Sequence, residues 1–330
     1  MISKIKNKIL CLFSIIAFNA LSQDVHFTQF YANPIFLNPA YTGATFEHRF
    51  VANYRNQWPG ISKAYSTYAI SYDYNMTEIN SGVGIQIMRD RAGTSNLTTT
   101  GVMGSYAYYY QVEKFKEVRM GLQLCYINKF YDYGKLTFND QLFTGSSVSN
   151  DIENVPKINY LNINAGALYT TRLLWAGFAL HNINRPNTTL VDGDNRLPMK
   201  FSVHGGYKFI ISKKGNFLEK YFAPAINYHH QNKFDELDLG AYYFYSPISF
   251  GVWYRGLPLK HYDAGYPNTD ALSFLVGLDI KDYDMRIGFS YDVTLSRLAS
   301  RSFGAAELSI IYEIAKKSKR KRVYVSCPKF

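Results

Sequence analysis

The stretch MRIGFSYDV, Met285 to Val293, decides the fold. Met285, Ile287, Phe289, Tyr291 and Val293 alternate with Arg286, Gly288, Ser290 and Asp292. A period of two marks a strand with two unlike faces. VRMGLQLCY repeats the pattern, setting Val118, Met120, Leu122, Leu124 and Tyr126 against Arg119, Gly121, Gln123 and Cys125. LSIIYEI puts Leu308, Ile310, Tyr312 and Ile314 on one face and Glu313 on the other. FSVHGGYKF and ISFGVWYR do the same.

Counted along the chain, such runs predict about fourteen strands. They start near residues 45, 63, 81, 97, 117, 158, 173, 199, 219, 236, 248, 270, 283 and 302. Two architectures compete, and a soluble β-sandwich would need polar outward faces. Here most outward faces carry Leu, Ile, Phe and Tyr, which suits contact with lipid. Aromatic residues make up 17 % of the chain, with 29 Tyr and 23 Phe, enough to furnish interfacial girdles. A mean hydropathy of −0.19 fits a barrel, whose polar lumen side dilutes its apolar exterior. The expected fold is therefore all-β, a transmembrane antiparallel β-barrel.

Loop lengths give a separate check. The connections NMTEIN, VEKFK, TTR, SKKGN, SP and KDYD follow even-numbered strands and are short. YDYGKLTFNDQLFTGSSVSNDIENVP, NINRPNTTLVDGDNRLP, RGLPLKHYDAGYPN and TLSRLASRS follow odd-numbered strands and are long; HQNKFD is a short exception. Short periplasmic turns and long outer loops are the rule for outer-membrane barrels, and they assign both termini to the periplasm.

The ends of the chain read differently. Lys4, Lys6 and Lys8, the apolar run Ile9–Phe18 and Ala20-Leu21-Ser22 have the form of a signal peptide over residues 1–22. Its removal lowers the formal charge from +11 to about +8. Residues 23–44 form an irregular segment, 45–315 the barrel and 316–330 a basic tail. The tail cluster of Lys316, Lys317, Lys319, Arg320, Lys321 and Arg322 is either a solvated end or a periplasmic contact for anionic headgroups or an acidic protein face. The compartment excludes nucleic acid as a normal partner. Cys125 and Cys327 lie far apart and are expected to be free thiols.

No catalytic or cofactor motif stands out. There is no phosphate-binding glycine loop, no paired Cys spacing, no H-E-x-x-H and no G-x-S-x-G. His229 and His230 are adjacent on a strand, so they point to opposite faces and cannot chelate together. Ser202 and His204 share a face, and His204 is expected to be a hydrogen-bonded lumen histidine. Asp73, Asp279 and Asp292, with Arg55, Arg119, Arg255 and Arg286, are expected to form one buried charge network. No enzyme, metal or cofactor is expected.

QDVHFTQFYANPIFLNPAYTG, Gln23 to Gly43, fits neither regular element. Pro34 and Pro39 break helix, and Asn33 and Asn38 precede them in extended or turn geometry. This segment resembles the N-terminal signature of the PorP/SprF family, outer-membrane proteins associated with type IX secretion. The resemblance continues through NYRNQWPGIS, YSTYAISYDY, DRAGTSNLTT, KFSVHGGYKF, GVWYRG, GFSYDVTLS and GAAELSIIYE to the final CPKF. Val25 departs from it, where the family more often has proline. The resemblance implies a barrel that helps secreted adhesins reach or stay on the cell surface, in some members as part of gliding motility. Some members join periplasmic components of the core apparatus; others serve the C-terminal domain of one large adhesin.

The irregular segment is expected to pack within or beneath the barrel, with Phe27, Gln29, Phe30, Tyr31, Asn33, Asn38 and Pro39 plugging the lumen. Arg55 and Trp58, placed at the first outer loop, are expected to bind substrate or anchor the barrel. A passive diffusion channel is the alternative function, and a barrel enzyme the third.

Overall fold

The computed structural model describes residues 25–45, 47–61, 65–93, 97–131, 139–145, 157–190, 193–214, 217–263, 266–296 and 302–314. The signal peptide, the basic cluster Lys316–Arg322 and Cys327 lie outside the described residues.

The strands are β1 (His48–Gln57), β2 (Tyr65–Met76), β3 (Ser81–Ala92), β4 (Leu97–Glu113) and β5 (Lys116–Phe130). They continue with β6 (Lys157–Thr170), β7 (Leu174–His181), β8 (Lys200–Tyr207), β9 (Phe209–Lys214) and β10 (Phe217–Gln231). Last come β11 (Phe234–Tyr245), β12 (Ile248–Asp263), β13 (Tyr266–Ile280), β14 (Met285–Thr294) and β15 (Ala305–Ile314). β8 and β9 pair with successive halves of β10 and are one stave interrupted at Lys208. Fourteen antiparallel staves result. The pairing of β1 with β15, and of β10 with β11, closes the sheet into a barrel.

Alternation sets the two faces. On β5, Met120, Leu122, Leu124 and Tyr126 are exposed while Arg119, Gln123 and Cys125 are buried. On β14, Phe289, Tyr291 and Val293 face outward and Ser290 and Asp292 inward. Exposed apolar side chains such as Ile70, Met120 and Leu122, each above 60 % accessible, form the lipid-facing band. Tyr108, Tyr110, Tyr207 and Tyr245 lie toward the end with short turns, and Tyr65, Tyr68, Tyr126 and Tyr291 toward the other. No described helix is long and apolar enough to cross a membrane; the strands do so instead.

The connection expected as RGLPLKHYDAGYPN differs from that reading. β12 and β13 continue through most of it as an extended hairpin, with register shifts after Arg255 and after Leu257. Gly256, at φ 145°, supplies the irregular step that lets the pair twist on beyond the barrel. Within the long connection after β5, residues Asn139–Thr144 form a short helix.

Eight staves make a barrel that side chains alone can fill, whereas sixteen or more leave an aqueous channel. A fourteen-stave lumen lies between these limits and has room for a chain segment. Residues 25–45 occupy that space.

Candidate functional site

The lumen segment is built from three single turns: Phe30–Ala32, Pro34–Leu37 and Pro39–Tyr41. Pro34 and Pro39 each sit in a first turn, where their missing N–H costs nothing. The Asn38 side chain caps the third turn by accepting from the Ala40 amide at 2.9 Å. No turn is long enough to be stable alone. The barrel wall holds them in place.

Three sets of wall contacts do this, one after another along the lumen. At the end with long loops, Thr28 and Gln29 meet β14 and β15. The Thr28 and Gln29 amides donate to the Glu307 carboxylate at 2.8 and 3.2 Å. Thr28 Oγ1 donates to Asp292 at 2.7 Å and accepts from Arg55 at 2.6 Å and Arg255 at 3.1 Å. Arg55 also reaches Asp292 at 2.9 Å and Glu307 at 3.2 Å. The Gln29 side chain bonds Ser290, the Glu307 carbonyl and Ser309.

In the middle, rings and amides face the wall. Phe30 packs edge-on against Trp253 at 4.9 Å between ring centres, and Tyr31 against Tyr242 at 5.1 Å. Phe27 meets Phe36 within the segment itself. Gln86 donates to the Asn33 side chain at 2.6 Å, and Asn53 to the Ala32 carbonyl at 3.4 Å.

At the short-turn end, Asn38 donates to the Ala167 and Phe178 carbonyls at 3.0 and 3.1 Å. Arg119 donates to the Ala40 and Thr42 carbonyls at 2.9 and 2.7 Å and pairs with Glu117. Arg49 forks onto Asp73 with two 2.8 Å bonds and also reaches the Tyr41 carbonyl; Asp73 in turn accepts the Gly43 amide at 2.7 Å. The backbone at Pro39 and Ala40 lies against Gly121, where a Cβ would collide with it.

Phe27, Gln29, Asn33, Asn38 and Pro39 are thus buried in the lumen, with Phe30 and Tyr31 half-buried beside them. Three expectations need correction. Arg55 is not on the first outer loop. It lies within β1 and faces inward, because the alternation that exposes Tyr54 buries Arg55. The charges form separate groups and not one network. Register sets Arg49 opposite Asp73 and Asp279 opposite Arg286 as groups of their own, whereas Arg55 opposite Glu307 and Asp238 opposite Arg255 join in one cluster because Asp292 takes both Arg55 and Arg255. His204 is buried, yet among the described residues neither ring nitrogen has a hydrogen-bond partner; the ring packs against Tyr41 at 5.5 Å. Trp58 does sit beyond β1 at the long-loop end, where its amide donates to Gly304 and its ring meets Tyr65 edge-on.

Sequence reading missed Arg49, Glu236, Asp238 and Glu307. Alternation would have found Glu307, next to the outward Leu308. Its partners, 278 and 279 residues away, had no local signal. His230 is exposed and pairs with Asp235 at 2.6 Å, while His229 turns inward toward His26, Glu236 and Asp238. Cys125 is a buried free thiol.

The family model for the type IX secretion system membrane protein PorP/SprF matches residues 19–312. The chain belongs to the PorP/SprF family. The PorP/SprF match spans both the lumen segment and the barrel. No curated protein matches. Among solved structures, the CymD monoaromatic hydrocarbon channel is similar at 13 % identity and a TM-score of 0.51, over 87 % of this chain and 94 % of that one. A Pseudomonas aeruginosa FadL homologue is similar at 11 % identity, TM-score 0.47, over 85 % and 94 %. The outer membrane protein Omp33 of Acinetobacter baumannii is similar at 9 % identity, TM-score 0.44, over 83 % and 100 %. At 13 % identity the likeness to CymD speaks to fold alone. This PorP/SprF protein is an outer-membrane β-barrel associated with type IX secretion.

Proposed function

We propose that this protein is a non-enzymatic surface-display partner: a barrel that supports secretion or surface attachment of an adhesin through its rims, and not a conduit. The observation that carries this is the filled lumen. Residues 25–45 meet the wall at both ends through charge-assisted hydrogen bonds, among the stronger non-covalent links, and in the middle through rings and neutral amides. A barrel so occupied gains nothing as an open pore and presents its loops and turns as the working surfaces. The partners are the C-terminal domain of a secreted adhesin at the barrel, periplasmic type IX components at the short-turn end, or both, in some settings serving gliding motility. The basic cluster Lys316–Arg322 is the periplasmic contact in this reading, with short turns facing the periplasm.

The test compares the cell-surface and culture-fluid proteomes of a strain lacking the protein with its parent. Loss of one large adhesin with other secreted proteins unchanged supports a dedicated partner. Loss of many secreted proteins at once supports a core role. An unchanged secretome defeats the proposal. A second reading, a passive diffusion channel, draws support from the likeness to CymD, described as a monoaromatic hydrocarbon channel. Steady single-channel conductance of the intact protein would favour it.

A further inference from the structure

The long-loop end of the lumen holds a group of side chains that the plug contacts described above do not use. His229 on β10 stands directly opposite Glu236 on β11 in the sheet register. Asp238 lies two residues further along β11, so all three share the inward face. His26 of the lumen segment completes the group. One ligand-capable atom from each of His26, His229, Glu236 and Asp238 lies within 4.8 Å of all the others.

Geometry and charge both suit a cation. His26 Nδ1 is 2.9 Å from Glu236 Oε1 and its Nε2 is 3.8 Å from Asp238 Oδ2. Bonds of about 2.0–2.2 Å in a tetrahedron space the donor atoms about 3.3–3.6 Å apart, so small side-chain shifts close the shell. His26 Nε2 and His229 Nδ1 are buried atoms with no hydrogen-bond partner among the described residues. Buried polar nitrogens without partners are costly, and a metal bond removes that cost. Arg255, 3.0 Å from Asp238, and Lys200 contribute positive charge nearby. Glu236 and Asp238 put two carboxylates on the site itself, the anionic donors a divalent ion takes.

We propose that His26, His229, Glu236 and Asp238 form a binding site for a divalent first-row transition metal, best suited to Zn²⁺. Two imidazoles with two carboxylates favour that class over Ca²⁺ or Mg²⁺, which take oxygen shells. The ion clamps the start of the lumen segment to β10 and β11, a wall that the Thr28 and Gln29 contacts to β14 and β15 do not reach. The clamp does not depend on what the barrel carries or displays.

The experiment uses the untagged protein in detergent, stripped with a chelator and titrated with Zn²⁺ by calorimetry. Amide exchange over residues 26–33 is followed in parallel. Wild type is expected to take up a single Zn²⁺ per chain and to slow exchange in that segment. His26→Ala and His229→Ala are each expected to weaken binding by at least about 100-fold, the upper figure for loss of an outer-sphere partner. His230→Ala, one residue away but facing outward, is expected to bind as wild type. Heat-modifiable migration on gels verifies that each variant is a folded barrel. Absence of saturable Zn²⁺ binding by wild type, equal binding by wild type and both His→Ala variants, or preference for Ca²⁺ over Zn²⁺ would each overturn the proposal.

Discussion

Replacing Glu307 by alanine is the sharpest test of how the lumen segment is held. The Glu307 side chain is buried on β15 and accepts both the Thr28 and Gln29 amides, at 2.8 and 3.2 Å. Alanine leaves two buried N–H donors without a partner and removes one of the two carboxylates on Arg55; Asp292 remains at 2.9 Å. Each orphaned donor costs about 1–3 kcal/mol, so the local penalty is about 4 kcal/mol. At 1.4 kcal/mol per tenfold, opening of the segment should become roughly a thousandfold more frequent. The loss falls on local opening, because the β1–β15 ladder keeps its backbone bonds. Hydrogen exchange by mass spectrometry in detergent reads it: peptides over residues 27–33 should exchange much faster, with β3 to β6 unchanged. Glu307→Gln keeps one acceptor oxygen and should lose about half as much. An increase of less than tenfold in Glu307→Ala, with the barrel folded, would refute the assignment of Glu307 as a principal tether.

Other outcomes follow from the same geometry. Gly121→Val places a branched side chain against the Pro39 and Ala40 backbone and should destabilise the short-turn end by about 1–3 kcal/mol, read as faster exchange over residues 38–43. Asn38→Ala removes two bonds to strand carbonyls and one cap, and should cost about 1–3 kcal/mol in denaturant unfolding from micelles. Intact protein in planar bilayers should be electrically silent, and deletion of residues 25–44 should produce a steady conductance; a conducting intact barrel would contradict a closed lumen. Cys125 should resist maleimide in the folded barrel and react after unfolding, as its burial requires.

Much of this fold is written locally. The alternation in Met285–Val293 and Val118–Tyr126 separates lipid face from lumen face because successive strand side chains point opposite ways. Strand starts read from the sequence fall within a few residues of those observed, from 81 and 97 at β3 and β4 to 283 against Met285 at β14. The least accurate reading was the connection after Arg255. Its prolines and glycines suggested a loop, yet cross-strand pairing around the Gly256 irregularity carries the hairpin on.

The sequence by itself determined that Gln23–Gly43 could be neither a regular helix nor a clean strand, since Pro34 and Pro39 each remove a backbone donor and limit any helix to short turns that begin at them. It also determined that each stave has a polar face needing partners. Only the tertiary structure decided which partners those are. Closure brings β15 beside β1 and sets Glu307 opposite Arg55, 252 residues away, and the lumen segment then delivers Thr28 to both. His26 meets His229, Glu236 and Asp238 for the same reason. A closed barrel converts separate local patterns into one enclosed volume, and inside it proximity is set by register and closure and not by distance along the chain.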